Sequence, residues 1–129
     1  MRKDTENFLF SSEYDFITAK YMFETGRYVY VIFMCHMAIE KALKAIVSEL
    51  TDRVSPKTHN LIYLIKVAKL NIPQDLFDFI AKINNASVIT RYPEDFKKLL
   101  ESYPEKITES YLKNTEKVLQ WLRQNGKLK

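Results

Sequence analysis

The chain has 129 residues, the size of one ordinary domain, and 47% of them are apolar, which is enough to build a hydrophobic core. Only two glycines and four prolines occur, which argues against a turn-rich sandwich or barrel and favours long helices. The net charge of +4 is mildly basic, but acidic and basic residues are interspersed, so charge alone does not indicate a nucleic-acid binder. We therefore expect one helical domain over residues 1–129.

The cysteine content and the N-terminal segment indicate the cellular compartment of the protein. A single cysteine, Cys35, excludes an internal disulfide and fits a reducing environment. No apolar stretch has the length of a signal peptide or approaches the roughly 18 residues of a membrane span, so we expect a cytoplasmic protein. Two histidines, one cysteine and scarce glycine predict no metal site and no cofactor-binding glycine-rich loop.

Two long helices are predicted in the first half of the chain. The first extends from about Thr5 to Thr25, with an apolar face at heptad spacing, and Gly26 is placed to end it. The second extends from about Arg27 to Leu50 and is apolar around so much of its circumference that it belongs at the bundle centre. The apolar face of the first helix comprises Leu9, Phe10, Phe16, Ile17, Ala19 and Phe23.

A third and a fourth helix are predicted in the middle of the chain. Thr58 is placed to cap a third helix, in which apolar residues recur at helical spacing through Ala68. Pro73 suits the first turn of a fourth helix, because proline lacks the amide hydrogen that would be left unpaired there. The helical pattern then weakens from Asn84 onward, and residues 90–93 have the composition of a turn.

The C-terminal part is predicted to contain a short helix and a long one. Residues 94–100 form the short helix, and the last helix begins near Pro104 and ends before Gly126. The inner face of the last helix is predicted to comprise Ile107, Tyr111, Val118 and Leu122. The fold class that follows is all-α: an antiparallel up-and-down four-helix bundle with an additional short helix.

Three polar residues share one face of the second helix. His36, Glu40 and Lys44 are spaced four residues apart, so their side chains lie above one another. One interpretation is a polar seam that faces a cleft or a dimer partner and binds a ligand. The other is a half-exposed ladder in which Glu40 and Lys44 form an ion pair.

Two further positions are candidates for ligand binding or catalysis. His59 is expected in the first turn of the third helix, where the helix dipole favours a neutral imidazole that acts as a general base or binds a ligand. The alternative is that His59 only packs over the helix start. Arg91 and Tyr92 combine a guanidinium for phosphate with an aromatic ring for base stacking. The alternative is that Arg91 ties its loop to the end of a helix.

Three short segments together match a family pattern: AIEKALKA at Ala38–Ala45, KTHNL at Lys57–Leu61 and RYP at Arg91–Pro93. In order and separation they resemble the HEPN (higher eukaryotes and prokaryotes nucleotide-binding) family, in its small stand-alone prokaryotic type. The resemblance extends from about Thr5 to Arg123. It implies a homodimeric helical bundle that binds a nucleotide or RNA. It also implies a minimal nucleotidyltransferase as partner, in a two-component module like a toxin–antitoxin pair.

The resemblance leaves two alternative functions open. Some HEPN domains are metal-independent ribonucleases in which an Arg-x(4–6)-His motif from two protomers meets at the dimer cleft. Arg53 and His59 have that spacing, which implies an endoribonuclease with His59 as general base and Arg53 or Arg91 stabilising the phosphate. The match departs from the motif at Val54, where a polar residue is usual, and at Leu61, where an extended form has tyrosine. The second alternative is a structural adaptor that dimerises without a ligand.

Overall fold

A computed structural model describes residues 1–126 and 128. Within these residues it contains six helices and no strand, which confirms the all-α class. Four helices are long and two, α3 and α5, are short. The helices are α1 Lys3–Glu24, α2 Tyr28–Thr51, α3 Leu61–Ala68, α4 Gln74–Arg91, α5 Phe96–Glu101 and α6 Glu105–Asn125. In the described part of the chain, no helix combines the length and apolar character that a membrane crossing requires.

Helix α2 is the centre of the bundle, as its apolar circumference predicts. It contacts each of the other five helices, and an apolar stripe along it is buried. Ala38 has no exposed surface, and its small side chain lets α1 come close enough for Ser12 Oγ to donate to the Ala38 carbonyl at 2.6 Å. The residues of the stripe are Ile32, Cys35, Ile39, Ala42 and Ile46.

The buried face of α1 agrees in part with the one that its apolar spacing predicts, since Phe16 and Ala19 are buried. Phe10 is 71% exposed and Ile17 is also exposed, whereas the face that packs on α2 contains small and polar residues. Thr5 Oγ1 lies 2.8 Å from Ser48 Oγ, and Asp15 forms an ion pair with Lys41 at 2.7 Å. Polar contacts with α2 therefore decide the orientation of α1, and they turn two large apolar side chains outward.

The start of α3 differs from the prediction by two residues. The helix begins at Leu61, and its cap is Asn60, whose side chain accepts from the amides of Ile62 and Tyr63. Thr58 instead accepts from the Asn60 amide, so it shapes the turn before the cap. The prediction that Thr58 caps α3 is therefore wrong.

Helix α4 is longer than the weakened pattern indicates. It continues through Thr90 to Arg91, so the prediction of a turn at these two residues is wrong. Its second half buries Ala86, Ser87 and Thr90, residues too small to produce a strong apolar signal. The helix ends at Arg91. The next residue, Tyr92, precedes a proline, and helical backbone geometry is unfavourable for a residue in that position.

The last two helices lie close to their predicted positions. Asp95 caps α5 by accepting from the Lys98 amide, which shifts that helix to Phe96–Glu101. On α6, the predicted inner-face residue Ile107 is exposed, while Thr108 beside it is fully buried and donates to the Tyr103 carbonyl. The hydroxyl has a buried acceptor there, so the polar side chain takes the inner position.

Candidate functional site

Glu40 lies at the middle of α2 with only 2% of its surface exposed. A buried carboxylate is unfavourable unless both oxygens are paired. Here Oε2 accepts from Lys44 Nζ at 3.1 Å, and Oε1 lies 2.8 Å from Nδ1 of His59. The predicted ion pair of Glu40 with Lys44 therefore forms, but in a mostly buried setting rather than on a half-exposed face.

His59 is supplied by the segment between α2 and α3, and its side chain is 62% exposed. It precedes the Asn60 cap, so the prediction that it occupies the first turn of α3 is wrong. Its orientation comes from Glu40. Because a carboxylate only accepts, Nδ1 of His59 donates, and Nε2 lies on the side of the ring directed away from Glu40.

The segment that carries His59 is fastened to α2 and α4. Ser55 is buried and its hydroxyl donates to the Lys44 carbonyl at 2.5 Å. At the other end, the Leu61 amide donates to Oδ1 of Asn84 on α4 at 3.0 Å. These two bonds hold His59 beside Glu40 from both sides.

His36 lies one turn before Glu40 on α2 and is fully buried. Burial lowers the pKa of its imidazole to about 4; the nearby Glu40 carboxylate opposes this effect, and the charge of Arg91 adds to it. His36 is therefore neutral at pH 7, and its Nδ1, 3.8 Å from Glu40 Oε1, forms no ion pair. Neither ring nitrogen has a hydrogen-bond partner among the described residues.

Arg91 reaches the same face of α2 from the last turn of α4. Its guanidinium lies 4.9 Å from the centroid of the Phe33 ring, and Nη2 is 3.3 Å from Met37 Sδ. Within residues 1–126 and 128, no carboxylate pairs with it. Phe33 and Met37 are apolar residues of α2, and nothing in their spacing indicates an arginine contact.

The predicted site residues thus divide into two groups. His36, Glu40, Lys44, His59 and Arg91 come together, and we refer to these five as the Glu40 cluster. The cluster combines a lysine, an arginine and two imidazoles with one buried carboxylate. Arg53 and Tyr92 lie outside it.

Arg53 lies in the bend after α2 and is exposed. In the part of the chain that the structure describes, no ion pair joins Arg53 to an acidic residue and no hydrogen bond joins it to His59. Tyr92 is 81% exposed and lines a groove with Val88 and Ile89, beside α5. Among the described residues, no group of three histidine, cysteine or acidic side chains is arranged to hold a metal ion.

Comparisons with solved structures identify the fold. The structure is similar to that of TT1696 from Thermus thermophilus, with a TM-score of 0.78 and 19% identity over 95% of this chain and 98% of that one. It is also similar to ST0689, an archaeal HEPN homologue, with a TM-score of 0.76 and 20% identity over 96% and 98%.

Sequence comparison supplies the family. No curated protein matches the chain. The family profile of the HEPN domain matches residues 5–125, nearly the whole chain and all three segments that carry the resemblance. The chain belongs to the HEPN domain family.

Proposed function

We propose that this chain is a homodimeric, cytoplasmic HEPN protein that binds a nucleotide or RNA phosphate at the Glu40 cluster. We further propose that it acts with a minimal nucleotidyltransferase as one half of a two-component, toxin–antitoxin-like module. Membership of the HEPN family supports the dimer, the ligand class and the partner. The geometry of the cluster supports the position of the ligand.

The binding proposal rests on Arg91, whose guanidinium is not paired with a carboxylate of the described residues. Lys44 and His59 are both engaged by Glu40. Arg91 packs against α2 near His36 and has no carboxylate partner among the described residues. A guanidinium with free donors binds phosphate oxygens in a forked geometry that lysine does not reproduce. The exposed Nε2 edge of His59 is positioned to contact the same ligand.

Titration of the purified protein with ATP and with short RNAs tests this proposal. We expect saturable binding that Arg91→Ala weakens by about tenfold or more, because a charge-assisted bond to phosphate is worth about 1.5–3 kcal/mol. Arg123→Ala removes the same charge from an exposed position on α6 and is the matched control. Binding of neither ligand, with or without the nucleotidyltransferase, would leave only the adaptor function.

The contact between Glu40 and His59 favours endoribonuclease activity as a second candidate. A buried carboxylate that holds Nδ1 of an exposed histidine leaves Nε2 free to accept a proton. In that reaction Nε2 takes the proton of a ribose 2′-hydroxyl, whose oxygen attacks the adjacent phosphorus. The bond to the 5′-oxygen breaks, that oxygen takes a proton from water, Nε2 returns its proton to the solvent, and Arg91 stabilises the negative charge of the phosphate.

Single substitutions separate the two candidates. If the protein cleaves RNA, His59→Ala abolishes cleavage while the helical circular dichroism is unchanged, because His59 is exposed and lies outside the helices. Arg91→Ala is expected to lower the cleavage rate more than Arg53→Ala does, because Arg53 lies outside the Glu40 cluster. Cleavage by His59→Ala at the wild-type rate would remove His59 from the mechanism, and no cleavage by the wild-type protein would eliminate the ribonuclease candidate and leave phosphate binding in place.

A further inference from the structure

An exposed apolar groove runs between α4 and α5 and is separate from the Glu40 cluster. It has a volume of about 630 Å³. Val88, Ile89 and Tyr92 line it and are 64%, 56% and 81% exposed. Large apolar side chains grouped in a concave surface indicate a contact with another molecule.

The groove also contains charges of both signs. Glu94 and Lys98 line it, and within residues 1–126 and 128 neither forms an ion pair. The third charged residue, Asp95, is already engaged, since its carboxylate caps α5 through the Lys98 amide. One free acidic side chain and one free basic side chain therefore flank an apolar surface.

We infer that this α4–α5 groove is the surface through which two copies of the chain associate, with each copy placing its Tyr92 in the groove of the other. In a two-fold interface, residue i meets residue j and j meets i, so a surface must complement itself. This groove meets that requirement, because Glu94 of each copy faces Lys98 of the other while the apolar residues pack between them. The inference rests on the homodimer of the proposed function and names its interface.

The arrangement changes the role assigned to Tyr92. Tyrosine is a frequent anchor at the centre of protein interfaces, because its ring covers a large area and its hydroxyl reaches the polar rim. Its exposed ring here becomes an interface contact rather than a stacking platform for a base. Since Arg91 immediately precedes Tyr92, the interface also brings the phosphate-binding arginine of each copy to the edge of the partner.

Charge reversal with the full-length protein tests the inference, using sedimentation velocity to measure the dimer dissociation constant. Glu94→Lys makes both of the facing positions, 94 and 98, positive, and Lys98→Glu makes both negative, while Asp95 is the same in each variant. We expect each variant alone to dissociate at least about tenfold more readily than the wild type, because like charges face each other twice across the two-fold axis. An equimolar mixture of the two variants is expected to recover the dimer, because each reversed charge then meets its opposite.

The control is the other exposed apolar face of the molecule, on α1, to which Phe10, Tyr14, Ile17 and Tyr21 contribute. Ile17→Asp places a charge there and is expected to leave the dimer dissociation constant unchanged. Dissociation by Ile17→Asp, or reversals that have no effect singly, would overturn the groove as the interface. Those results would contradict the groove but not the proposal that the protein is a homodimer. A wild-type protein that stays monomeric would contradict both the groove and the homodimer.

Discussion

Oε1 of Glu40 lies 2.8 Å from Nδ1 of His59, across a sequence separation of 19 residues. The contact joins the buried centre of α2 to an exposed segment before α3. It therefore links the stability of the bundle to the geometry of the candidate site, and both properties are expected to respond when either residue is changed.

Glu40→Ala is expected to lower the free energy of unfolding by about 1–3 kcal/mol. The substitution leaves the ammonium of Lys44 mostly buried without its acceptor, and an uncompensated charge is costly in that position. Urea denaturation measures the change. Glu109→Ala is the matched control: it breaks an exposed ion pair with Lys113 on α6 and should cost less than about 0.5 kcal/mol. Equal losses in the two variants would contradict the buried role of Glu40.

Acid is expected to destabilise the protein through His36. Burial lowers the pKa of His36 from its usual 6.5 to about 4, so between these values the unfolded chain binds a proton that the folded protein does not. The free energy of unfolding therefore falls as the pH decreases from about 6.5 toward about 4, by up to about 3 kcal/mol.

His36→Gln is the comparison that isolates this contribution. Glutamine does not titrate, so the variant should lose less stability than the wild type between about pH 7 and about pH 5 in urea denaturation. Glu40, His59 and Arg91 remain in both proteins, and their own effects cancel in the difference. Identical pH profiles would show that His36 does not carry the acid sensitivity.

The thiol of Cys35 is expected to be unreactive in the folded protein. Cys35 is fully buried on α2, and burial raises the pKa of its thiol to about 12. Because the thiolate is the reactive form, iodoacetamide at about pH 8 should modify the native chain only slowly and the urea-unfolded chain fast. Mass spectrometry distinguishes the two, and rapid alkylation of the native protein would contradict the burial of this side chain.

The end of α3 offers a simple stabilising substitution. Lys69 terminates the helix with a φ of 53°, a left-handed conformation in which a side chain is unfavourable and glycine is not. Lys69→Gly is expected to raise the free energy of unfolding by about 0.5–1 kcal/mol. Lys66→Gly makes the same change one turn earlier, inside the helix, and should lower it by about 1 kcal/mol. Thermal denaturation of both variants tests the prediction, which fails if both shift in the same direction.

Periodicity predicts much of the fold, because the 3.6-residue repeat of a helix is written directly into the spacing of apolar side chains. The same repeat places His36, Glu40 and Lys44 on one face of α2, and the structure has them there. Periodicity does not say which of several apolar faces is buried. On α1 the polar contacts of Thr5 and Asp15 with α2 outweigh the spacing that includes Phe10.

By itself, therefore, the sequence determined the helical class, the central position of α2 and the residue types available to a site. Only the tertiary structure decided which of those residues meet. Glu40 contacts His59 because α2 and the segment before α3 pack together. Arg91 contacts Phe33 because α4 continues past the point where its apolar pattern weakens. Contacts between distant segments depend on how helices pack, and local spacing carries no record of that packing.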